Sequence, residues 1–597
     1  MCGIVGFSGS LPADLLSEAI TTLTHRGPDD SGVFHDGPAQ VGMGHRRLSI
    51  QDLSAAGHQP MVAADDSAVL VFNGEIYNFR ELRCELEEKG IAFRGHSDTE
   101  VLLNLYLAEG EEMLPRLNGI FAFALWDRRD QSLLIARDAA GVKPLYYAAL
   151  DDRLIFASEI KALYPLLTDA GKLDAAALDR YLSFLWCPGA GTPHAQIRKL
   201  QPGEAMRVSS GRITRRWKWV RSPALGSNRA GLNQEQAVAG TLRHLREAVH
   251  RQLVSDVPVG AFLSGGLDSS AIVALAREKN PEIRCFTIEA TGGADAGDTD
   301  DLPYARRVAA HLGVPLDIVC IDSAKMAADL ERMVVQLDEP LADPAPLNVL
   351  YISQLARESG IKVLLSGAGG DDLFTGYRRH RALMAEKWWD WLPRPMRRGL
   401  SHFTAGLDQR HPLSRRLAKL FNGAALEGDA RLVNYFRWAR RSDLQALYSP
   451  EFRAELGSNL AEQPMLDFLE QMPPETDRLE RMLALERRFF LADHNLLYTD
   501  KMSMAVGVEV RVPFLDPDLV DFAARIPARF KQRGREGKWV LKKAMEPYLP
   551  HDVIYRPKTG FGAPLRRWLR FELRELLGDL LSEDSLRRRG LFEPAAV

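Results

Sequence analysis

The sequence predicts an α+β part with layered, mostly antiparallel sheets, followed by an α/β part with a parallel sheet and a helical C-terminal region. Three observations support this fold class. The chain has 597 residues, well beyond the size at which one hydrophobic core keeps growing. Its first third consists of short apolar runs broken by turns, which is typical of antiparallel strands. Beyond residue 233 strand and helix patterns alternate, as in parallel sheets covered by helices.

The predicted first domain covers residues 2–220 and is rich in strand patterns. Its apolar runs are CGIVGF, AVLVFNGEIYN, GIFAFALWD, SLLIARD and RLIFASE. Two helical stretches interrupt these runs, one near residues 15–23 and one near residues 81–89. Residues 221–233, with the sequence RSPALGSNRAGLN, are rich in Gly, Pro, Ser and Asn and predict a linker.

The predicted second domain covers residues 234–597. The strand pattern VPVGAFL precedes a helix that begins in SGGLDSS, and the strands IRCFTIE, VPLDIVCID and IKVLLSG follow with helices between them. One of those helices is expected near residues 304–311. In parallel sheets of this kind, ligands bind where the carboxyl ends of strands meet helix N-termini. From about Trp388 onward the chain is mostly helical and rich in arginine.

Composition excludes several functional classes. The chain carries 76 basic and 79 acidic residues, so its net charge of −3 offers no long-range field for nucleic acid or a membrane surface. Its five cysteines are scattered without CxxC spacing, which favours a reducing cytoplasm over a disulfide framework or a zinc site. No signal peptide or membrane span is expected, so we expect a cytoplasmic protein that is unprocessed except for loss of Met1. The expected partners are small-molecule substrates; the sequence does not fix the oligomeric state, and a homodimer is one option.

Cys2 is the first candidate catalytic residue. Removal of Met1 would place its thiol beside a free α-amine, whose pKa is near ~7.7–8.0 in model peptides. Such an amine can act as the general base for the thiol, so one residue would supply both the nucleophile and the base. A lone cysteine is more commonly a small buried hydrophobic residue, and Cys2 alone would favour that simpler role.

Four polar segments that follow apolar runs at predicted turns change this judgement. Their sequences are HRGPDDSG, HRRLSI, NGEIYN and SDTE. Arg47 is a candidate partner for the carboxylate of a free amino acid, and Glu75 and Asp98 are candidates for its ammonium group. Each residue taken singly is explicable as a turn residue, but together they form a clamp that suits glutamine.

Asn73 and Gly74 supply the remaining chemistry of this predicted site. The Asn73 amide and the Gly74 backbone N–H could stabilise the oxyanion that forms when Cys2 attacks a side-chain amide. A glycine allows the backbone to approach a ligand that closely.

These segments together resemble the class II glutamine amidotransferase domain. The resemblance runs from residue 1 to about residue 216, through MCGIVGF, HRGPD, RLSI, NGEIYN, SDTE, FAFALWD, GVKPLYY and FASEIKAL. It implies an N-terminal-nucleophile fold with Cys2 as the nucleophile. It also implies a glutamine pocket formed by Arg47, Asn73, Gly74, Glu75 and Asp98.

The second domain contains a candidate phosphate site where the strand VGAFL runs into SGGLDSS and then a helix. Backbone N–H groups and serine hydroxyls there would form an anion cradle from Ser264, Gly265, Gly266, Ser269 and Ser270. No lysine follows the glycines, so this is not the usual mononucleotide loop. The glycine pair by itself would also be explained by a glycine-rich turn that binds no ligand. A second acidic turn, SGAGGDD at residues 366–372, ends the strand IKVLL at the same predicted sheet edge.

SGGLDSS resembles the pyrophosphate loop of enzymes that split ATP into AMP and pyrophosphate. In order, SGGLDSS, SGAGGDD, DKMSMAVGVEVRVPFLD and GKWVLKKA resemble the synthetase domain of B-type asparagine synthetases, an ATP-pyrophosphatase fold. The resemblance implies ATP and Mg²⁺ as cofactors, with Asp268 and Asp371 as metal ligands. It implies that Lys538 neutralises charge on the reacting acyl-adenylate. Further nucleotide contacts are implied at Leu263, Ile288, Ser366 and Gly367.

With both halves, the resemblance covers nearly the whole chain. It implies ATP-driven amidation of a carboxylate through an acyl-adenylate, with ammonia from glutamine passing through an intramolecular tunnel. Aspartate is the first expected acceptor, because asparagine synthesis is the commonest activity of this architecture. A uronic acid or another carboxylate of bacterial surface polysaccharides is the alternative. A binding or regulatory protein with an inactive synthetase half is a third hypothesis, and Asp268, Asp371 and Lys538 argue against it.

The sequence departs from the family pattern at two places. Ala368 stands where asparagine synthetases usually carry a glutamate that is thought to take the proton from attacking ammonia. Another acceptor would then be needed, such as Asp372, the phosphate or the substrate itself. This departure puts aspartate as substrate in question. Relatives also commonly continue beyond the final GLFEPAAV, which predicts a chain shortened at its C-terminus.

Overall fold

The structure, a computed structural model, describes residues 2–167, 169, 171–220, 231–291, 301–408, 411–557 and 565–597. It confirms the predicted fold class: antiparallel sheets come first, and a parallel sheet and a helical region follow. Residues 221–230, most of the predicted linker, lie outside the described residues. None of the helices in the described ranges is long and apolar enough to cross a membrane.

Strands β1 to β12 of the first part form two six-stranded antiparallel sheets. Their bounds are β1 Gly3–Ser8, β2 Asp30–Asp36, β3 Val41–Arg47, β4 Met61–Val62, β5 Ala68–Ile76, β6 Gly119–Asp127, β7 Ser132–Arg137, β8 Tyr146–Ala149, β9 Leu154–Ala157, β10 Arg198–Lys199, β11 Glu204–Ser209 and β12 Arg212–Lys218. The strand orders are β10-β8-β9-β1-β3-β2 and β12-β11-β7-β6-β5-β4. Ile4 and Met43 of one sheet pack against Val69 and Val71 of the other, so the start of β1 faces β5.

The helices of this part are α1 Ala13–Thr21, α2 Phe79–Glu88, α3 Asp98–Glu109 and α4 Ala175–Phe184. The first two coincide with the two predicted helical stretches, whereas α3 and α4 were not predicted. Helix α3 is buried around most of its circumference, including its apolar residues Val101, Leu102 and Leu105. A helix without a solvated face lacks the apolar periodicity that identifies amphipathic helices.

The second part is built on a five-stranded parallel sheet in the order β15-β14-β13-β16-β17. Its strands are β13 Val259–Phe262, β14 Cys285–Thr291, β15 Leu316–Asp322, β16 Val363–Leu365 and β17 Glu509–Arg511, and a small hairpin is formed by β18 Gln532–Arg533 and β19 Glu536–Gly537. Leu245, Val273 and Val308 of flanking helices pack with Ala261 and Val363 of the sheet in one core.

The described residues beyond Trp388 are mostly helical, as predicted. The α-helices of the second part are α5 Gln234–Arg251, α6 Leu267–Ala276, α7 Leu302–Leu312, α8 Ser323–Ala328, α9 Leu330–Leu337, α10 Ala345–Glu358, α11 Gly370–Phe374, α12 Arg378–Ala385, α13 Arg394–Ala405, α14 Pro412–Phe421, α15 Gly428–Asn434, α16 Arg441–Leu447, α17 Pro450–Leu456, α18 Gln463–Glu470, α19 Arg478–Leu485, α20 Leu496–Met504, α21 Pro517–Arg525, α22 Ala528–Lys531, α23 Trp539–Met545, α24 His551–Ile554, α25 Leu565–Arg570, α26 Arg574–Leu580 and α27 Glu583–Arg589. A π-helical segment, Glu486–Asn495, joins α19 to α20.

Buried ion pairs join the two parts. Arg26, which is fully buried, contacts Glu159 at 2.7 Å and Asp500 of α20 at 2.8 Å. Lys143 lies 3.3 Å from the same Asp500. Removing one partner of such a pair leaves a buried charge unpaired and typically costs about 3–5 kcal/mol. The contact between the two parts is therefore a specific interface.

Candidate active sites

Cys2 is held against β5 immediately before β1 begins. It is 7% exposed, and its backbone nitrogen donates to Oδ1 of Asn73 at 2.9 Å. Its carbonyl oxygen accepts from Nε of Arg26 at 3.1 Å. Burial raises the pKa of the Cys2 thiol, so a nearby base is needed to form a thiolate at neutral pH. The nitrogen that would become the α-amine lies beside that thiol within the same residue.

Asn73 offers a donor for an oxyanion beside Cys2. Its Nδ2 is buried and has no hydrogen-bond partner among the described residues. A buried donor without a partner costs free energy, so the site suits a ligand oxygen. The next residue, Gly74, packs so closely on β6 that a Cβ would lie 2.1 Å from the Ile120 carbonyl oxygen.

The prediction that the NGEIYN segment lies at a turn was wrong. Asn73, Gly74 and Glu75 lie inside β5, where Asn73 pairs with Ala122 and Gly74 with Phe121 of β6. The strand continues through these polar residues because β6 provides backbone partners as far as Gly119. The polar residues are thus fixed by the sheet itself.

Glu75 and Asp98 are two buried carboxyl groups at one place. Glu75 accepts from the Gln51 side chain and lies 3.4 Å from the guanidinium of Arg511. Asp98, the first residue of α3, accepts from the Ile76 N–H at 2.9 Å. Desolvation raises the pKa of Asp98 to about 6 and raises the pKa of Glu75 as well. An incoming ammonium group would stabilise both in their charged forms.

Arg47 is the last residue of β3, and its guanidinium is wrapped by the loop that follows. It donates to the carbonyl oxygens of Gln51 at 3.3 Å and Ser54 at 3.2 Å, and to that of Asp52. These bonds fix the guanidinium near the other pocket residues. Its role as partner of a substrate carboxylate stays a prediction.

The predicted phosphate cradle lies between the carboxyl end of β13 and the start of α6. Gly265 has a φ of +66°, and a Cβ there would lie 2.4 Å from the Ala305 nitrogen, so the turn requires glycine. The hydroxyl oxygens of Ser264 and Ser269 lie 3.1 Å apart. This turn and the one after β16 leave neighbouring strands of the sheet at the same edge, as predicted.

A cavity of about 680 Å³ opens at this edge of the sheet. The predicted residues that line it are Ser264, Gly266, Asp268, Asp371 and Lys538. The other predicted nucleotide contacts do not line it; they are Leu263, Gly265, Ser269, Ser270, Ile288, Ser366 and Gly367. The structure thus places the charged groups in the cavity wall and much of the turn backbone behind them.

Lys538 bridges two carboxylates in this cavity. Its Nζ contacts Asp268 and lies 2.7 Å from Asp371. Burial lowers the pKa of Lys538, but the charges of Asp268 and Asp371 outweigh that effect and raise it overall. Two carboxylates close enough to share one cation supply the hard oxygen ligands that Mg²⁺ prefers, and phosphate oxygens would complete its coordination. The donor set therefore fits the implied metal.

The far wall of the cavity was not predicted from the sequence. Phe490, His494 and Tyr498 form an aromatic row there, with ring centroids 4.8 Å and 5.3 Å apart. His494 also pairs with Asp343 at 3.3 Å. The only signal was a spacing of four residues on one helical face, and such spacing more often marks a core. Arg378 and Tyr377 complete this wall.

Asp372, a predicted substitute proton acceptor, is buried and does not line the cavity. It accepts from the hydroxyl of Tyr377 at 3.3 Å, and Tyr377 does line the cavity. Tyr377 therefore offers one hydrogen-bonded route from the cavity to Asp372.

An apolar cluster connects β5 with the second acidic turn. Tyr77, which follows β5, packs in it with Ile120, Val142 and Leu491, and Ala368 packs against the same cluster. The remaining buried members are Leu496, Val512 and Leu515. The cluster therefore runs from the strand that carries Asn73 to the turn beside the cavity.

Comparisons with known proteins extend over both parts. The model of the glutamine amidotransferase domain family matches residues 1–219, and the model of the asparagine synthase family matches residues 240–597. Asparagine synthetase [glutamine-hydrolyzing] 1 of Bacillus subtilis is 34% identical over 98% of this chain and 90% of its own length. Asparagine synthetase [glutamine-hydrolyzing] 3 of the same organism is 31% identical over 94% of this chain and 87% of its own length. Amidase chyE of Penicillium rubens is 27% identical over 97% of this chain and 89% of its own length.

Proposed function

Since the chain belongs to the glutamine-hydrolysing asparagine synthetase family, we propose that it releases ammonia from glutamine and transfers it to a carboxylate activated with ATP. One observation carries this proposal: the Cys2 nitrogen lies 2.9 Å from Oδ1 of Asn73 on β5, and an apolar cluster extends from Tyr77, just after that strand, to Ala368 in the turn whose Asp371 lines the cavity with Asp268 and Lys538. Residues 2–220 would form the amidotransferase domain and residues 234–597 the synthetase domain.

The first reaction uses Cys2. After loss of Met1, the α-amine of Cys2 takes the thiol proton, and the sulfur attacks the side-chain amide carbon of glutamine. The oxyanion that forms accepts from Nδ2 of Asn73 and from the backbone N–H of Gly74. Ammonia leaves, and water then releases glutamate from the thioester.

The clamp on glutamine follows from the charges around it. Glu75 and Asp98 bind the α-ammonium group, and Arg47 binds the α-carboxylate. Because Glu75 and Asp98 are buried, they discriminate strongly for a cation at this place. The pocket thus selects a free amino acid rather than a peptide.

The raised carboxyl pKa values predict how glutamine use depends on pH. A pKa of about 6 means that Asp98 is protonated and uncharged below that pH, so it loses its attraction for the ammonium group. We expect Asp98 to add about tenfold per pH unit to the fall of kcat/KM for glutamine hydrolysis below pH 6, on top of the fall that protonation of the Cys2 α-amine causes below about pH 8. Initial rates between pH 5 and pH 8 test this, with Asp98→Asn as the variant that should lose the additional fall below pH 6. A flat wild-type profile would contradict the assignment.

The second reaction takes place in the cavity. The acceptor carboxylate attacks the α-phosphorus of ATP, pyrophosphate leaves, and an acyl-adenylate forms. Mg²⁺, when held by Asp268 and Asp371, would neutralise charge on the phosphates. Lys538 stabilises the charge that develops on the α-phosphate, and the turn at Ser264 and Gly266 binds pyrophosphate oxygens. Ammonia then displaces AMP from the acyl carbon.

The apolar cluster from Tyr77 to Ala368 is the proposed route of ammonia between the sites. Neutral ammonia crosses apolar surroundings at little cost, whereas ammonium, which is not a nucleophile, would have to lose its hydration. A route lined by apolar side chains therefore favours delivery of the reactive species.

Aspartate is the first proposed acceptor, which would make asparagine the product. Two observations favour a second candidate, a larger carboxylate such as a uronic acid. Ala368 lacks the carboxylate of the family pattern, and the cavity of about 680 Å³ is lined by aromatic side chains as well as by Lys538. Incubation with ATP, glutamine and either acceptor class tests both, with AMP, pyrophosphate and amide product measured. Amide formed on neither class, with ATP left intact, would refute the proposal.

Substitution of Ala368 by glutamate distinguishes the two acceptors. If the acceptor is aspartate, the new carboxylate supplies a proton acceptor and should raise the rate of asparagine formation. A well-placed general base contributes about 10²–10⁴-fold, so even partial rescue is measurable. If the acceptor is a larger carboxylate, the glutamate crowds it and repels its charge, and the rate should fall.

Ala368→Gln is the matched control, because it adds the same bulk without a proton acceptor or a charge. Pyrophosphate exchange into ATP shows whether each variant still forms the adenylate. Efficient asparagine synthesis by the wild type with no gain from Ala368→Glu would show that this position does not limit proton transfer. The pair Tyr377 and Asp372 would be tested next.

A further inference from the structure

Arg511 belongs to the sheet of the second part but reaches the glutamine pocket of the first. Its backbone carbonyl accepts from the Ser366 N–H at 2.8 Å, at the start of the acidic turn beside the cavity. Its guanidinium lies 3.4 Å from Oε2 of Glu75. One fully buried residue thus contacts the turn of one site with its main chain and the other site with its side chain.

The guanidinium of Arg511 is fixed by the second part. It donates to the carbonyl oxygens of Gln252 at 2.7 Å and Val254 at 2.6 Å, beyond the end of α5. Its Nε donates to Glu509 on the same strand. Glu75 is therefore held from the second part, and a shift of β17 relative to β5 would change its surroundings.

Electrostatics make this contact important for Glu75. Glu75, Asp98 and Glu509 are buried together, and Arg511 is a cation that acts on all three. The charge of Arg511 counteracts the rise that burial imposes on the Glu75 pKa. Burial and the neighbouring carboxyls already raise the Glu75 pKa well above its usual value; without Arg511 that pKa would rise further, and Glu75 would hold a proton more firmly against an incoming ammonium group.

The helix before β17 makes a second connection of the same kind. Asp500 of α20 holds Arg26 at 2.8 Å, and Arg26 donates to the Cys2 carbonyl oxygen. Two positions earlier on the same helix, Tyr498 lines the cavity. The segment 496–511 therefore contacts both sites at several points.

Resting on the proposed function, we propose that Arg511 is a positioning residue that couples the two sites: it holds Glu75 in place for the ammonium group of glutamine and transmits nucleotide binding at the Ser366 turn to that carboxylate. Glutamine hydrolysis then responds to occupancy of the ATP cavity.

Arg511→Met removes the guanidinium and keeps the backbone bond to Ser366. We expect KM for glutamine to rise at least about tenfold. That is the loss typical of one hydrogen bond to a charged group, here the bond between Glu75 and the ammonium group of glutamine. The change in glutaminase kcat/KM that MgATP causes in the wild type should disappear. Ammonia-dependent pyrophosphate release should persist, since the cavity residues are untouched.

Lys199→Met is the matched control. Lys199 pairs with Glu339 at 3.1 Å across the same interface, and both side chains are 3% exposed, but neither lines the cavity or contacts Cys2 or Glu75. Its loss should leave KM for glutamine and the MgATP response unchanged. Arg511→Lys keeps a cation and should restore part of both.

Thermal unfolding shows whether Arg511→Met is folded. If it is not, Arg511→Lys decides the question: its weaker pairing should move the acid limb of kcat/KM for glutamine to higher pH and reduce the MgATP response. The inference is overturned by an unaltered KM in a folded Arg511→Met, by an equal rise in Lys199→Met, or by a wild-type glutaminase that ignores MgATP. A wild type without any glutaminase activity would instead refute the proposed function.

Discussion

Replacement of Cys2 by alanine is expected to abolish glutamine use while ammonia-dependent amidation survives. The thiol is the nucleophile only in the first reaction, and loss of such a group costs at least about 10⁴-fold in related covalent mechanisms. Alanine keeps the backbone nitrogen that donates to Asn73, so the fold and the interface should persist. Glutamate release from glutamine and amide formation from an ammonium salt are measured side by side.

Cys187→Ala is the control for this variant, because Cys187 is also buried but does not line either proposed site. It should retain both activities. Glutamate release at the wild-type rate by Cys2→Ala would show that the nucleophile lies elsewhere. If mass spectrometry showed that active enzyme still carries Met1, the α-amine of Cys2 would be excluded as the base.

Most of the first site could be predicted because its signals are local in the sequence. Cys2 lies at the chain terminus, and the segments around Arg47, Asn73 and Asp98 each combine a strand or helix end with unusual polar residues. The sheet then brings these segments together. The position of Asn73 within a strand was not predicted. A polar residue after an apolar run resembles the start of a turn when the partner strand is not known.

The remaining features depend on tertiary contacts and could not be predicted from local sequence patterns. Helix α3 has no solvated face, so no periodicity identified it. Glu509 and Arg511 stood in a quoted motif as charges within the apolar run VGVEVRVPFL, but Glu75, which Arg511 contacts, lies in the first part of the chain. The role of these charged residues depends on a contact between parts of the chain that are far apart in sequence, so local patterns do not reveal it.

The same limit applies to the cavity. Asp268 and Asp371 in its charged wall lie in turns that were predicted to follow strands, a rule that holds for parallel sheets in general, whereas Lys538 was implied only by the family resemblance. Its aromatic wall at Phe490 and Tyr498 comes from helices whose packing the sequence does not specify. We propose that this aromatic wall contacts the acceptor, so the sequence supports the reaction class better than the acceptor.

Asp268→Asn and Asp371→Asn are each expected to lose the cleavage of ATP to AMP and pyrophosphate. Both carboxylates contact Lys538, and together they would supply the oxygen ligands for Mg²⁺ in the proposed mechanism. An amide in place of either removes one charged ligand, and metal-assisted charge stabilisation is worth several kcal/mol, or about 10²-fold or more in rate. Glutaminase activity without MgATP should be largely retained, because Cys2 and its pocket lie in the first part of the chain, away from both carboxylates.

Asp317→Asn is the matched control for these two variants, since Asp317 lies on β15 of the same sheet but pairs with Arg284 at 2.8 Å, outside the cavity. Its ATP cleavage should equal that of the wild type. Pyrophosphate and AMP are followed together, because their joint release distinguishes adenylation from phosphoryl transfer. The absence of a lysine after the glycines of SGGLDSS favours adenylation, as that lysine belongs to loops that bind β- and γ-phosphates. Stoichiometric ADP and phosphate would therefore refute both the adenylate and the assignment of Asp268 and Asp371.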